Sequence, residues 1–339
     1  MKITNEIKRR LLGPDGSLTE PGWATKLIFE YSPFDVKANK MRIKEWDYYV
    51  IADENGAFST VIADNRYMGL ANASYYDFKE QKKYDFITPL IMPKGKLNMP
   101  TDSSTGDIYY KDRYCSLAYI HEKDGRRLVG KYQKCSIHDE MEFDIFLEKN
   151  PDDTMVIATP WDEDKTAFYY NQKINCMPAK GYLKFGGRTI EFSPEKHFAT
   201  LDWGRGVWTY DNTWYWGTGN GFINNKRFGY NIGYGFGNTS AASENMIFYD
   251  GKCHKFDRIE FVIPEDDTKK PWKFISSDGR FDMKFIPVFE TITDMGVLFI
   301  RQNANKVFGK LTGKAILDDG TALDIKDMIA FAERVRNRY

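Results

Sequence analysis

The sequence feature that most constrains the fold is a strict alternation of bulky and small side chains between residues 228 and 237. The bulky positions are Phe228, Tyr230, Ile232, Tyr234 and Phe236, and the positions between and after them are Gly229, Asn231, Gly233, Gly235 and Gly237. A period of two is that of a β-strand, in which successive side chains point to opposite faces. Because glycine is a poor helix former, this segment predicts a strand with one crowded face and one almost bare face.

A second alternating segment lies just upstream and predicts a hairpin with the first. Its larger residues are Trp214, Trp216 and Thr218, which alternate with Tyr215, Gly217, Gly219 and Gly221; the link is Asn224-Asn225-Lys226-Arg227. Glycine weakens a strand, so repeated glycine on one face indicates close approach by a ligand, another backbone or large side chains. We expect the two glycine faces to form a shallow trough into which Asn231 projects.

The rest of the chain also favours strands between glycine-containing turns. Met141, Phe143, Ile145 and Leu147 alternate with more polar residues, and turn signals such as Asp124-Gly125 and Asp250-Gly251 recur. This pattern predicts an all-β, mainly antiparallel sandwich or barrel architecture. The 339 residues favour two domains, which we place at 1–196 and 197–339, each half closed by a hairpin, at 181–192 and 313–324. One long helix is predicted at 325–337, with Met328, Ile329, Ala332 and Val335 on one side.

Composition excludes several classes of function. Basic and acidic residues number 48 each, so the formal net charge is zero and a nucleic-acid partner is not expected. The chain has no apolar run long enough for a membrane helix and no apolar signal core, so we expect a cytoplasmic protein without an integral membrane segment. The four cysteines show no C-x-x-C spacing, and adjacent residues such as His138-Asp139-Glu140 diverge, so no metal site is expected.

The candidate site lies where charged residues are set among tryptophans. Asp202 and Arg205 flank Gly204 and are expected to be poorly hydrated. Poorly hydrated charges are retained in a protein only when they form an ion pair or take part in its function. Two interpretations stay open: a buried Asp202–Arg205 pair that pins the two halves together, or an acid/base carboxylate whose charge is set by Arg205. His197 is either a satisfied structural histidine or a proton shuttle.

Residues after the second strand extend this site, because Glu244 and Asn245 can return to the same region. The predicted catalytic residues are Asp202, Arg205, His197 and Glu244. The predicted ligand-binding residues are Trp203, Trp208, Trp214, Trp216, Tyr230, Asn231 and Asn245.

Several segments together resemble a known bacterial family. They are Asp15-Gly-Ser-Leu-Thr-Glu-Pro-Gly-Trp23, Lys44-Glu-Trp-Asp-Tyr48, Leu201-Asp-Trp-Gly-Arg-Gly-Val-Trp208, Trp214-Tyr-Trp216, Tyr230-Asn-Ile-Gly-Tyr-Gly-Phe-Gly237 and Val307-Phe-Gly-Lys-Leu-Thr-Gly313. This set resembles the family catalogued as domain of unknown function 2804, and the resemblance spans nearly the whole chain.

A more distant resemblance concerns the Asp-Trp-Gly element and the late Phe-Gly-x-x-x-Gly hairpin. Both are similar to those of the lipocalin-like two-barrel group that includes carotenoid hydratases. The resemblance implies two lipocalin-like barrel or half-barrel domains in tandem, with a pocket at or near their junction. The hydratases usually carry a histidine directly beside Asp-Trp-Gly, whereas this chain has Leu201 there and His197 further back. The fold therefore carries over more readily than the activity.

Three functions fit these observations. The first is a hydratase, isomerase or cyclase that needs no cofactor and applies acid/base chemistry to a hydrophobic, isoprenoid- or lipid-like substrate, with the tryptophans enclosing the apolar part. The second is a non-catalytic protein that binds a small hydrophobic or amphipathic molecule. The third is a carbohydrate-active or glycan-binding protein in which Asp202 and Glu244 are the carboxylates. Dinucleotide, Walker, nucleophile-elbow and zinc-protease motifs do not occur in the sequence.

Overall fold

The computed structural model describes residues 2–4, 7–136, 139–149, 152–297 and 300–338. Two large antiparallel sheets, one of 13 strands and one of nine, make up most of the regular structure, so the predicted all-β antiparallel class is confirmed. In this part of the chain the helical structure is a single 3₁₀ turn at Lys40–Arg42. None of its helical structure is long or apolar enough to cross a bilayer.

The first sheet collects strands from the N-terminal part of the chain. They are β2 (Gly22–Ala24), β4 (Ile43–Ala52), β5 (Gly56–Asp64), β6 (Met68–Asp77), β7 (Lys82–Ile91), β8 (Ile108–Lys111), β9 (Cys115–Glu122), β10 (Gly125–Tyr132), β11 (Met141–Glu148), β12 (Met155–Pro160), β13 (Phe168–Phe185), β14 (Arg188–Phe192) and β15 (Phe198–Val207). The main path runs β7-β6-β5-β4-β15-β13-β11-β10-β9-β8, with β12, β14 and β2 attached through β13 and β12. A separate parallel pair joins β1 (Arg9–Arg10) to β3 (Phe29–Glu30).

The second sheet contains the remaining strands. They are β16 (Asp211–Ile223), β17 (Lys226–Tyr234), β18 (Met246–Tyr249), β19 (Lys252–Lys255), β20 (Ile259–Val262), β21 (Trp272–Ser276), β22 (Phe281–Val297), β23 (Ile300–Ile316) and β24 (Ala322–Arg338). Their order is β19-β18-β17-β16-β24-β23-β22-β21-β20. The predicted hairpins at 181–192 and 313–324 are confirmed as β13–β14 and β23–β24.

The predicted β16–β17 hairpin is also confirmed. Asn224 and Asn225 form its turn with φ of 51° and 61°, the left-handed conformations that a tight two-residue hairpin turn requires. The bulky side of β17, including Phe228 and Tyr230, packs into the core of the second half-barrel. The glycine side consequently faces the first sheet.

The predicted helix at 325–337 is wrong, because this segment is β24, paired with both β16 and β23. Asp327 has a φ of 51° where the register with β23 shifts, which breaks a simple alternation. Beyond it, Ala330 and Ala332 pack in the second core while Phe331 packs toward the first sheet. At residues 330–333 the strand is buried on both faces and loses the period of two, and the apolar positions there imitate a helical spacing.

The sheets separate in sequence between Val207 and Asp211, after the expected boundary at 196/197. β15 lies beyond that boundary, yet it pairs with β4 and β13 in the middle of the first sheet. The two sheets pack through their outer surfaces: Tyr48 of β4 contacts Trp216 of β16, with ring centroids 6.0 Å apart. We call the layer between these surfaces the junction.

Candidate functional site

The Asp-Trp-Gly-Arg-Gly motif lies on β15, so its residues alternate between two environments. Asp202, Gly204 and Gly206 face the junction, and the intervening Trp203 and Arg205 are fully buried in the first half-barrel. A Cβ added at Gly204 would lie 2.0 Å from the Trp46 indole, which means that this ring lies directly across the strand. The glycine is thus required by the close approach of a tryptophan.

A buried lysine joins the two candidate carboxylates. Lys173 is the β13 partner of Asp202, and its Nζ lies 2.6 Å from Asp202 Oδ1 and 3.9 Å from Glu244 Oε1. Tyr169 donates a hydrogen bond of 2.7 Å to Glu244 Oε1 and accepts one of 3.4 Å from Lys173 Nζ. We call Lys173, Asp202, Glu244 and Tyr169 the carboxylate–lysine cluster.

Asp202 is the member of this cluster that a ligand can reach. Its side chain is 13% exposed, whereas those of Lys173 and Glu244 are each 1% exposed. Oδ1 accepts hydrogen bonds from Lys173 and from Asn171 Nδ2, the latter at 2.7 Å. Within the described residues nothing donates to Oδ2, so this oxygen is left to accept a hydrogen bond or a proton from a bound molecule.

Glu244 is held in the cluster from the second sheet. Burial raises the pKa of its carboxyl, against the opposing effects of the Lys173 ammonium and the Tyr169 hydroxyl. Asn231 donates to the Glu244 carbonyl at 3.0 Å and accepts a 2.7 Å bond from Trp216 Nε1. Asn245 accepts a 3.0 Å bond from the Gly233 amide, so both asparagines fix the loop that carries Glu244 to β17.

An aromatic wall adjoins the cluster. Tyr169 stacks on Phe236 with centroids 4.8 Å apart, and Trp208 lies edge-on to both Tyr169 and Trp214, at 5.7 and 5.1 Å. Lys173 Nζ lies 4.7 Å from the Trp216 ring centroid. Trp46, Tyr48 and Trp214 remain partly exposed beside these buried rings. The wall consists of Trp46, Tyr169, Trp208, Trp214, Trp216 and Phe236.

The expected glycine trough is occupied by the protein itself. A Cβ at Gly229 would lie 2.7 Å from Cys176 Sγ, and one at Gly233 would lie 3.1 Å from Glu244 Oε2. Gly235 has a φ of 95°, and a Cβ added there would lie 2.2 Å from the Thr213 carbonyl oxygen. Close packing of the chain against itself therefore explains these glycines, and Asn231, which does project into the junction, is fully buried there.

An Asp202–Arg205 pair, one of the two interpretations left open by the sequence, is not formed, because residues three apart on a strand point to opposite faces. The Arg205 guanidinium donates to Asp47 Oδ1 at 2.9 Å and to the carbonyl oxygens of Trp46 and Pro100, both at 2.8 Å. It lies 4.3 Å from the Trp203 ring centroid. Arg205 and Trp203 thus lie in the interior of the first half-barrel, and the cation beside Asp202 is Lys173.

Two other predicted residues also lie away from the cluster. His197 immediately precedes β15; its Nε2 is 3.4 Å from Asp53 Oδ2, and the hydrogen bond to this carboxylate raises the pKa of the imidazole. Tyr230 packs in the second core, 5.1 Å from the Phe281 ring. Among the described residues no three histidine, cysteine or acidic side chains converge on a metal site; His138 lies outside those residues.

Sequence reasoning missed Lys173, Tyr169 and Asn171. All three lie in β13 at alternate positions, so they share the face that looks into the junction. Tyr169, Asn171 and Lys173 recur at a spacing of two, and this pattern of hydrogen-bonding groups on one strand face was the signal that could have identified them. Their proximity to Asp202 depends on the β13–β15 register, which no local pattern specifies.

Comparisons with known proteins agree with this architecture. The structure is similar to that of kievitone hydratase from Nectria haematococca, at 13% identity and a TM-score of 0.52, covering 98% of each chain. It is also similar to CghA, at 10% identity and a TM-score of 0.54 over 97% of each chain. The structure of CghA with Sch210972 matches at 11% identity and a TM-score of 0.52, covering 96% of this chain and 97% of that one.

At these identities the likeness concerns the fold alone, and it confirms the expected two-barrel, hydratase-like architecture. A search of curated protein sequences finds no match. One family model matches residues 2–339, that of a domain of unknown function, DUF2804. The chain therefore belongs to the DUF2804 family.

Proposed function

We propose that the chain is an acid/base catalyst of the hydratase, isomerase or cyclase type, which acts at the junction on a hydrophobic substrate and needs no redox cofactor. The observation that carries this proposal is the state of Asp202. One of its oxygens is fixed by Lys173 and Asn171, while the other has no donor among the described residues and lies beside an aromatic wall. A fixed carboxylate with one available oxygen is the arrangement that proton transfer needs.

Each neighbour of Asp202 has a distinct role in this proposal. Lys173 and Asn171 hold the carboxylate in one orientation, and Glu244 with Tyr169 balances the charge of the lysine from behind. The partly exposed rings of Trp46 and Trp214 cover the apolar part of the substrate. Asp202 then contributes the roughly 10²- to 10⁴-fold acceleration typical of a positioned acid/base group.

Addition of water is possible where the substrate double bond is conjugated to a carbonyl group. Asp202 Oδ2 takes a proton from a bound water molecule while the water oxygen forms a bond to the carbon remote from the carbonyl group, and the electron pair of the π bond moves into the conjugated system. Asp202 Oδ2 then returns the proton to the carbon next to the carbonyl group, which completes the addition. The fold shared with a protein named as a hydratase supports this choice of reaction.

The test is to incubate the protein with unsaturated isoprenoid and lipid alcohols, ketones and acids in ¹⁸O-labelled water and to follow label incorporation by mass spectrometry. We expect at least one class to gain a single ¹⁸O. Asp202→Asn, which keeps the shape of the side chain, should slow that conversion by about 10² or more. Asp324→Asn, at an exposed carboxylate, is the matched control. Equal rates for Asp202→Asn and the wild type would refute the role of Asp202.

A second candidate function is non-catalytic binding of a lipid-like molecule. The partly exposed Trp46, Tyr48 and Trp214 favour it, because such rings bind apolar molecules whether or not chemistry follows. Organic extraction of the purified protein followed by mass spectrometry tests it. Replacing Trp214 or Trp216 by alanine should then weaken binding, whereas Asp202→Asn should spare it.

A carbohydrate-active role has less support from this geometry. A glycosidase places two accessible carboxylates on either side of its substrate. Here Asp202 and Glu244 both lie within 3.9 Å of the same ammonium nitrogen, and Glu244 is 1% exposed. The second carboxylate is therefore screened by Lys173 and Tyr169, and a sugar ring could not lie between the two.

A further inference from the structure

Three exposed apolar side chains lie together where β6 begins and β7 ends. Met68 and Ile91 are directly opposite each other in the β6–β7 ladder, and Met92 follows Ile91 in the chain. Their exposed fractions are 43%, 90% and 42%, respectively. A single exposed apolar residue is common on any protein surface, whereas a group of them marks a site of interaction. We call these three residues the β6–β7 patch.

The turn after β7 holds the patch in a fixed shape. Met92 and Lys94 have φ of 51° and 55°, left-handed conformations that residues other than glycine seldom adopt. The Met92 amide donates to the Tyr67 carbonyl oxygen at 3.1 Å, and the Lys94 amide donates to the Arg66 carbonyl oxygen at 3.0 Å. Because such conformations persist only where the surrounding structure maintains them, the patch projects from the surface as a preformed element.

The segment that carries most of the patch has only positive charges. Residues 86–101 include Lys94 and Lys96, both exposed, and contain no aspartate or glutamate. On the neighbouring strand β5, Asp64 is buried, and its Oδ1 lies 3.3 Å from the Arg66 guanidinium, so its charge does not offset the lysines at the surface. Apolar side chains next to exposed lysines are the combination that binds a membrane surface of anionic lipids.

A row of apolar side chains connects the patch to the aromatic wall. Trp46, Ala63, Leu70 and Pro89 are successive cross-strand partners on β4, β5, β6 and β7, and they share the outer face of the first sheet. Pro89 is exposed, and Leu70 and Trp46 are partly exposed, so the second sheet does not cover this row completely. Three strand spacings amount to about 14 Å. The row therefore begins beside the patch, two residues from it on β6 and β7, and ends at Trp46.

We propose that the β6–β7 patch docks the protein on an anionic lipid surface, with Ile91 and Met92 inserted among the headgroups and Lys94 and Lys96 against the phosphates. Three side chains are too few for a stable protein–protein interface, which buries about 800 Å² on each partner. A bilayer, by contrast, accepts a small apolar projection flanked by cations. The apolar row then leads from the bilayer to Trp46, so a molecule dissolved in the membrane reaches the aromatic wall along an apolar surface.

Flotation of the full-length protein with lipid vesicles tests this proposal. The wild type should bind vesicles that contain phosphatidylglycerol about tenfold or more strongly than vesicles of phosphatidylcholine alone, because each lysine near an anionic surface contributes roughly fivefold. Ile91→Ser should weaken binding to both kinds of vesicle by about tenfold, since it removes the most exposed apolar side chain. The double variant Lys94→Gln, Lys96→Gln should weaken binding to the anionic vesicles alone, again by about tenfold.

Matched control variants remove the same groups elsewhere on the surface. Ile292→Ser replaces an isoleucine of β22 that is 66% exposed, and the double variant Lys123→Gln, Lys326→Gln removes two exposed lysines and thus the same net charge. Both controls should bind the vesicles like the wild type, within about twofold. All of these side chains are exposed, so circular dichroism should show an unchanged fold in every variant.

Three results would overturn the proposal. The first is the absence of wild-type binding to either kind of vesicle, and the second is equal binding by Ile91→Ser and the wild type. The third is self-association of the wild type in sedimentation without lipid that Ile91→Ser abolishes, because the patch would then be an interface between two copies of the chain. None of these measurements depends on turnover, so the labelled-water test of Asp202 stands or fails separately.

Discussion

Replacing Arg205 tests whether the charged residues of the Asp-Trp-Gly-Arg-Gly motif act as one unit or as two. The side chain is fully buried, and five hydrogen bonds connect it to Asp47 and to the carbonyl oxygens of Trp46, Pro100 and Gly204. Arg205→Met keeps a similar length but leaves the Asp47 carboxylate buried without its cation. Removing one partner of a buried ion pair costs about 3–5 kcal/mol, and we expect a loss of this size in the free energy of unfolding.

A double-mutant cycle measures which carboxylate is coupled to Arg205. Combining Arg205→Met with Asp47→Asn should recover part of the loss, with a coupling energy of about 1–3 kcal/mol, because the second substitution removes the stranded charge. Combining it with Asp202→Asn should be additive within about 0.5 kcal/mol, since the two side chains lie on opposite faces of β15 and roughly 10 Å apart along it.

Urea unfolding at neutral pH, followed by both circular dichroism and tryptophan fluorescence, provides these free energies if the two transitions coincide. Arg205→Lys retains the positive charge but not the planar guanidinium group with its several donors, so its stability should lie between those of Arg205→Met and the wild type. A coupling to Asp202 larger than the coupling to Asp47 would refute the assignment of the two residues to separate environments.

Two further predictions concern the junction face of the first sheet. Gly204→Ala should lower the free energy of unfolding in urea by about 1–3 kcal/mol, because its Cβ would lie 2.0 Å from the Trp46 ring. Gly221→Ala is the control and should lower it less, since the nearest contact of its Cβ is Met328 Sδ at 3.3 Å. Equal losses of stability in the two variants would contradict this explanation. Burial lowers the pKa of Lys44 from its ordinary 10.5 to about 7, so between these values the unfolded chain binds more protons and the stability of the wild type should rise with pH. Lys44→Met should show a smaller rise than the wild type when the free energies of unfolding at about pH 7 and about pH 9.5 are compared, because Lys255, whose pKa burial lowers to about 8, still contributes. Equal rises in both proteins would count against the lowered pKa of Lys44.

Local patterns were sufficient for part of the fold. The β16–β17 hairpin was predicted because its alternation and its Asn224-Asn225 turn are both encoded in a few consecutive residues. β24 was mistaken for a helix because residues 330–333, in its middle, lie between a core and the junction and are buried on both faces, which removes the period of two there. The position of β15 in the first sheet depends on pairing with β4, whose residues lie about 150 positions earlier in the chain.

The candidate site shows the same division between local and distant information. Asp202 and Glu244 were identified from their aromatic surroundings, and they do approach each other. The sequence could have shown that Asp202 and Arg205 do not pair. They are three residues apart, and an odd spacing on a strand places side chains on opposite faces. Lys173 could not be assigned to Asp202 from sequence, since that contact is set by the register of two strands and not by any motif.

The packing of the two sheets through their outer surfaces has a consequence for how such a protein diversifies. Each half-barrel keeps its interior filled with its own side chains, and a layer of backbone separates that interior from the junction. Substitutions at outward-facing positions of β4, β15 and β24 therefore alter the chemistry of the junction while the two cores continue to hold the scaffold. A randomised library restricted to those positions should yield many folded variants with altered ligand preference, whereas one directed at the inward-facing positions should yield few.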